Sequence, residues 1–524
     1  MKIYLRTLII LVLFIPISCD LEEEVYDRLT PETMFKTEID AEASIMGAYW
    51  DLTSYGMYKD YLTGLLFASN DGILTSKSNN DRGKLNRKVL DSASNRVRRA
   101  WLGWFNIINN SYLTLQYVPG ITMNEAKKTR ILGEAHFLIG YSYFNLIRMF
   151  GKAPIKLAAT LDDSNLNTPM ATKEQLYEVV LEHLKMAEDM CISKSEQPSS
   201  EGGRATKGAA QALLADVYLN LEDWANAEIY ADKVINSNEY SLVSDYADLW
   251  DVEKEAYAEG LEVIFAIQFK RDFSNTKFAA RGNSFTYRVN PSNAVGRTGH
   301  TTGKGGNEIM VQPWFYDICT TGDYEGDYRG EVSFLTEYLD KKDAIRYTYP
   351  NPNPKDKYPW SDKYKDPLGP DYLNSEGDMN VYRLSEIYLM KAEAANELGN
   401  TGEAYTAFNM LRERARMADG DERTTPLDLT SGLSKDDFRH AIFTERGVEF
   451  HFELKRWFDL IRMKRADGQT YFDYMYNEYI PSLPDSKKFA ASLVYNPTYK
   501  LLPIPLDEIS RNTSMSYDEQ NPGY

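Results

Sequence analysis

The chain has 524 residues, 43% of them hydrophobic and 26% charged, with a formal net charge of -18. That apolar share is enough to bury a sizeable core and excludes a disordered chain. The acidic balance, with no long basic run, excludes a surface built to neutralise the many phosphates of a nucleic acid.

At the N-terminus, Lys2 and Arg6 precede an apolar run from Leu8 to Ile17, followed by Ser18 and Cys19. The run is shorter than the roughly 20 residues a membrane-spanning helix needs. It reads as a signal peptide over residues 1–18, and Phe14-Ile-Pro-Ile-Ser-Cys19 resembles a bacterial lipobox in which Cys19 becomes the lipidated first residue. Ordinary cleavage that leaves Cys19 unmodified is the alternative. Each buried methylene of an acyl chain contributes about 0.8 kcal/mol, so several chains give a stable anchor. Asp20, Glu22, Glu23 and Glu24 then form an acidic tether. Cys191 and Cys319 are too few for a disulfide scaffold and are expected as isolated packed thiols.

Residues 19–240 form an N-terminal helical-repeat region. Within it, residues 205–235 carry small and large apolar residues at the spacing of a tetratricopeptide unit, and a weaker unit is read from 135–150 followed by 173–190. Residues 241–376 are rich in Tyr, Trp, Gly, Pro and Asn, with one strand-like run at 263–269, and form a long loop-rich insertion, or cap. Long ordered loops usually carry function. Residues 377–470 are a second helical-repeat region whose unit spans 381–415, and 471–524 is a loop-rich segment that wraps the helical body. The fold class is therefore mainly α: a tetratricopeptide-like helical scaffold with an irregular cap.

Enzymatic motifs are scarce. His136, His183, His300, His440 and His451 show no metal spacing, and no G-x-S-x-G is present. The run GHTTGKGG at 299–306 is one residue short of a phosphate loop and reads as a flexible loop. Glu445, Glu449 and Glu453 recur every four residues beside Arg446 and Arg456, which local helical ion pairing explains. Asp323, Glu325 and Asp327 around Gly326 are a calcium option without the EF-hand spacing, a solvated acidic turn being the plainer reading. No other cofactor is expected. Sugar recognition needs aromatic faces for apolar C–H patches and planar polar groups for hydroxyls. In the cap, Tyr287, Trp314, Tyr316, Trp360 and Tyr364 stand beside Asn283, Arg288, Asn290, Asn293 and Lys363 and are candidates for that role.

Several segments resemble the SusD/RagB family of surface lipoproteins: DAEASIMGAYWDL near the start, GEAHFLIGYSYFNLIRMFGKAPI at 133–155, YRLSEIYLMKAEAANELG at 382–399, TERGVEFHFELKRWFDLIR at 444–462, and LLPIPLDEI and QNPGY at the end. Ile139 stands where Arg is usual and Leu454 where Gly is usual. FASNDG at 67–72 and WLGWFNIINN at 101–110 resemble family regions that face ligand, which implies roles for Asn70, Asp71, Trp101 and Trp104, with Arg82 or Arg98 as charged donors. Trp101 and Phe105, four apart, have a structural alternative as a staple to the core. The resemblance implies a non-enzymatic, lipid-anchored protein of the outer-membrane surface. It would bind a glycan and pass it to a SusC-type TonB-dependent transporter. The rivals are a peptide-binding lid of a RagA-type transporter and a surface glycoside hydrolase.

Overall fold

The computed structural model describes residues 34–524 except 77–79, 163–164, 273–281, 293, 296–304, 341–345, 351–357, 365, 367–371, 373, 419 and 489–494. Cys19 and its acidic tether, Asn293, His300 and residues 299–304 therefore lie outside the described residues.

The body is built from helices whose starts are written in polar caps. Helix α1 (Glu38–Leu52) opens with a capping box between Thr37 and Asp40. After α2 (Tyr61–Ser69) come α3 (Asn95–Tyr117), capped by Ser94, and α4 (Glu125–Phe150), capped by Asn124. A Thr172/Gln175 capping box starts α5 (Lys173–Met190), and Thr206 and Asp223 cap α6 (Lys207–Asn220) and α7 (Trp224–Ile235). Downstream lie α8 (Leu384–Leu398), α9 (Thr401–Ala415), α10 (Lys435–Glu449) and the short α11 (Arg456–Arg462). Consecutive helices pack as pairs, α4 with α5, α6 with α7 and α8 with α9, and the pairs stack through α5 on α6 and α7 on α8. This stacking is how a repeat unit buries a face it cannot cover alone. Close approach depends on small residues. A Cβ on Gly140 of α4 would sit 2.6 Å from Leu184 of α5, and one on Gly133 would sit 2.8 Å from Met190 Cβ. The predicted fold class and all three repeat units are present at these positions.

Four short strands matter to the site: β1 (Ile73–Thr75), β2 (Val263–Ile267), β3 (Ile309–Val311) and β4 (Met379–Arg383). β1 pairs antiparallel with β3, and β2 with β4. The β2–β4 ribbon closes the neck of the cap, and Arg383 at its end stands at the N-cap position of α8 without a side-chain capping bond. The final segment returns to α4: Leu502 N–H donates to Met149 O at 2.7 Å, and the Asn521 amide donates to Phe150 O at 2.9 Å.

The acidic series Glu445, Glu449 and Glu453 corrects the expectation of local pairing. α10 ends at Glu449, and Glu453 lies past it in a turn where Phe452 and Leu454 hold φ of +62° and +64°. Leu454 therefore occupies a backbone position that favours glycine. All three carboxylates are fully buried and bind cations far away in sequence. Arg329 of the cap donates to Glu445 at 2.7 Å and Glu449 at 3.0 Å; Lys363 of the cap donates to Glu453 at 2.9 Å. Arg383 reaches Glu262, Glu449 and Glu453, Arg414 reaches Glu262 and Glu449, and Arg412 reaches Glu445. Burial pushes the Glu449 carboxyl up, but the guanidinium groups of Arg414, Arg383 and Arg329 outweigh it and hold it below the usual carboxylate range. Burial lowers the Lys363 ammonium to about 8. The web clamps cap to scaffold.

Candidate functional site: a tyrosine platform over three arginines

The loop between α1 and α2 and the first residue of α2 read SYGMYKDY, residues 54–61. The loop turns tightly against α3: a Cβ on Gly56 would meet the Arg99 carbonyl at 3.0 Å. The short helix Phe285–Val289 of the cap is stitched to this loop, because Ser284 donates to the Lys59 carbonyl from its N–H at 3.0 Å and its Oγ at 2.8 Å. The two segments supply three tyrosines, Tyr55, Tyr61 and Tyr287, and Tyr372 from farther along the cap joins them. Tyr55 and Tyr61 meet edge to face at 4.6 Å, Tyr287 and Tyr372 at 5.6 Å, and the Tyr55 and Tyr372 hydroxyls are 3.1 Å apart. Tyr55 is 37% and Tyr372 42% exposed, while Tyr61 and Tyr287 are half-buried.

Charge lies directly beneath. Arg288 grips fully buried Asp60 through two bonds of 2.8 Å and donates to Glu308 at 2.6 Å. Arg82 bonds Glu308 and lies 3.8 Å from Asp60, and Arg96 lies 3.5 Å from Asp60. Arg96 also stacks on Tyr61 at 4.3 Å, and Arg288 lies 5.2 Å from the Tyr372 ring. Three guanidinium groups thus share two carboxylates. Arg82 registers the excess: burial, then the fields of Arg288 and Arg96, lower it to about 10. Nη1 of Arg82 and Nη1 of Arg96, the atoms that face Asp60, are buried and reach it as ion pairs without a hydrogen bond. Burial, followed by the hydrogen bond shared with Tyr372 and the field of Asp60, pushes the Tyr55 phenol up, so its hydroxyl stays protonated and able to donate. Chemically, the surface presents exposed ring faces, neutral hydroxyls and underlying cationic donors.

Of the residues singled out in the sequence, Arg82, Tyr287 and Arg288 come together here. The others do not, and the structure corrects their assignment to an open binding face. Asn70 and Asp71 are buried: the Asn70 side chain accepts the Gly72 N–H at 2.7 Å, and Asp71 is held by Arg456 at 2.9 and 3.1 Å. Trp101 is buried against Phe150 at 4.8 Å and Phe105 at 5.2 Å, the staple alternative, and Trp104 is buried against Tyr141 at 5.6 Å. Arg98 pairs with Asp507 at 2.5 Å. In the cap, Trp314 is buried beside Tyr479, Trp360 lies buried in a two-residue strand against Leu335, and half-buried Tyr316 packs on Phe334 and Tyr349. Tyr364 is buried and donates to the Phe452 carbonyl at 3.1 Å. The cap aromatics Trp314 and Tyr364 are spent in one hydrophobic core that they share with the scaffold. Asp323 and Glu325 point to solvent while Asp327 is bound by Arg329 at 2.7 Å, so the three do not converge as the calcium option requires. Among the described residues no group of three His, Cys, Asp or Glu is placed to hold a metal. His136 and His183 are not isolated: their Nδ1 atoms lie 2.8 Å apart. Cys191 and Cys319 are free, buried thiols.

Tyr55, Tyr61, Tyr372, Arg96 and Asp60 were not singled out from the sequence. The tyrosine-rich run at 54–61 is the signal that marks the first two.

Comparison with known proteins places the chain. A sequence model of the SusD family matches residues 261–524, and one described as starch-binding, associating with the outer membrane, matches 23–219. SusD-like protein P2 of Formosa agariphila is 28% identical over the full length of both chains. The starch-binding protein SusD of Bacteroides thetaiotaomicron is 26% identical, over 77% of this chain and 74% of its own. Among solved structures, a SusD homologue from Bacteroides thetaiotaomicron superposes with a TM-score of 0.78 at 20% identity, covering 94% of this chain and 98% of the other. A laminarin-binding SusD-like protein gives 0.73 at 22% identity, covering 94% and 100%. With stacked helix pairs, a cap joined at a two-stranded neck and matching sequence from end to end, the chain belongs to the SusD family.

Proposed function

We propose that this protein is a lipid-anchored glycan-binding protein of the outer-membrane surface, which captures oligosaccharide or polysaccharide on the tyrosine platform and delivers it to a SusC-type TonB-dependent transporter. The observation that carries the reading is the set of four tyrosines displayed over a cluster of three guanidinium groups that share two carboxylates. Ring faces match the apolar faces of pyranoses, and hydroxyls with guanidinium donors match their oxygens. Relatives named for starch and laminarin binding support the ligand class. A binding role without catalysis fits the platform, since both of its carboxylates are tied to arginine and neither is a ready proton donor.

Calorimetric titration of the purified protein with neutral oligosaccharides and with peptides tests the ligand class, and a reducing-end assay after incubation with polysaccharide tests the absence of hydrolysis. Binding confined to peptides, or release of reducing ends, overturns the proposal. For the anchor, Cys19→Ala is expected to move the protein from the membrane fraction to the soluble fraction and to abolish labelling by a fatty-acid probe. Unchanged labelling contradicts it.

A further inference from the structure

The chain carries a formal net charge of -18, yet one of its cavities collects the opposite sign. It lies between the C-terminal end of α4, the first turn of α5, the turn after α6, α11 and the C-terminal segment, and its volume is about 280 Å³. Among the described residues, Arg148, Lys173, Arg462, Lys464 and Lys500 line it against a single carboxylate, Glu222. A second hollow of about 220 Å³ meets it at Glu222, Arg462 and Lys464, and half-buried Trp224 and Arg465 stand on the wall of that hollow. The two form one groove, which shares no residue with the tyrosine platform.

The cations divide by how firmly they are held. Arg148 lies between the Phe144 and Phe458 rings at 4.2 and 4.1 Å and pairs with Asp216 at 3.1 Å, and Glu393 grips Arg462 twice, at 2.5 and 2.9 Å. Both arginine side chains are deep, 10% and 11% exposed. Three ammonium groups are more open. Lys464 pairs with Glu222, each side chain half exposed, and Lys500 pairs with Asp473 at 2.5 Å while remaining 31% exposed. Lys173 is exposed, forms no ion pair among the described residues and lies 5.7 Å over the Tyr177 ring. Exposed pairs contribute little and are screened, so an incoming anion can take the place of Glu222. Ammonium groups are compact charges on flexible stems, whereas the planar fork that clasps a carboxylate belongs to arginine, and Arg148 and Arg462 are already taken. Lys173, Lys464 and Lys500 therefore suit a tetrahedral oxyanion, whose oxygens point in different directions. The Trp224 indole in the adjoining hollow offers a ring face for a sugar, which a lipid phosphate would not need.

We propose that this groove is a sulfate-binding site, which takes a sulfate ester of a glycan among Lys173, Lys464 and Lys500 with the adjoining sugar against Trp224. It rests on the glycan-binding reading for the kind of ligand and adds to it an anion-specific site away from the platform. Dextran, galactan and fucan hexasaccharides, each unsulfated and sulfated, are titrated by calorimetry into wild type, the double variant Lys173→Ala, Lys464→Ala, and Tyr372→Ala, and binding of wild type and the double variant to phosphatidylglycerol vesicles is measured by sedimentation. At least one sulfated hexasaccharide is expected to bind wild type about tenfold more tightly than its unsulfated counterpart. The double variant, melting as wild type does because both lysines are exposed, is expected to lose that preference, and Tyr372→Ala to keep it. Raising sodium chloride from 0.05 to 0.5 M is expected to weaken the sulfated ligand roughly threefold or more, because ion pairs hold it. The site is overturned alone if no sulfated hexasaccharide is preferred, if the double variant keeps the preference, or if the substitutions weaken binding to the vesicles only, which assigns the groove to lipid phosphate. Absence of binding by every oligosaccharide, neutral or sulfated, overturns the glycan reading itself, and this site with it.

Discussion

The web around Glu449 and the platform around Asp60 are both arginine–carboxylate clusters crossed by tyrosines, yet they differ in two respects. In the web, Arg329, Arg383, Arg412, Arg414 and Lys363 are matched by as many carboxylates, and every member is sealed from water. On the platform, three guanidinium groups share two carboxylates under rings of which two are exposed. A closed, balanced set fixes structure, because removing any member strands a buried charge. A set short of one acceptor beneath exposed aromatics is the surface to which we assign ligand binding. Residue type alone does not separate the two.

The sharpest way to break the comparison is to open the web. Glu449→Ala leaves Arg329, Arg383 and Arg414 without a shared acceptor and is expected to destabilise the protein by about 3–5 kcal/mol in urea denaturation. A loss below about 1 kcal/mol, the range of exposed pairs, would mean that the web does not hold the cap. Next in size is the platform. The double variant Tyr55→Ala, Tyr372→Ala is expected to lower oligosaccharide affinity about tenfold, or about 1.4 kcal/mol, while its urea midpoint stays near wild type because both rings are exposed. A large stability loss with unchanged affinity would reverse the roles assigned to the two regions.

A smaller effect comes with pH, from a buried histidine pair outside both regions and from the web itself. Burial lowers His136 to about 4, and burial with the field of His136 lowers His183 to about 3, both from an ordinary 6.5. The folded chain keeps them neutral while the unfolded chain takes up protons, so their contribution is complete above pH 6.5 and drains away as pH falls toward 4 and then 3. Glu445 and Glu449, both held below 4.5, add a further loss under that pH as they protonate. Urea midpoints measured from pH 7 to pH 4 should therefore decline, and a flat profile contradicts the buried-neutral histidine pair. Smallest of all is salt: binding of a neutral ligand is expected to change less than twofold between 0.05 and 0.5 M sodium chloride, because no ion pair forms with it.

Much of the fold was legible in the sequence because helices announce themselves locally. The capping residues Thr172 and Thr206, the glycine at 399 and the spacing of Ala227, Ala231 and Val234 all act within a few residues. The web was not legible. Glu445 and Glu449 sit at helical spacing from one another, but Arg329 and Arg383 reach them across more than sixty residues, as the sequence separations of 120 and 66 to Glu449 record. The site was legible only in part. Arg82, Tyr287 and Arg288 could be singled out by residue type, but which aromatics of an aromatic-rich cap stay exposed depends on how that cap packs on the rest of the chain. Trp314, Trp360 and Tyr364 are buried, while Tyr372 is left outside.

The claim on which the account turns is that the tyrosine platform binds glycan, and calorimetric titration of wild type and Tyr372→Ala with the neutral oligosaccharides tests it most directly. The account predicts saturable binding to wild type and binding about tenfold weaker, or lost, in the variant at equal fold stability. Equal affinity of the two proteins, or no oligosaccharide binding by either, would contradict it.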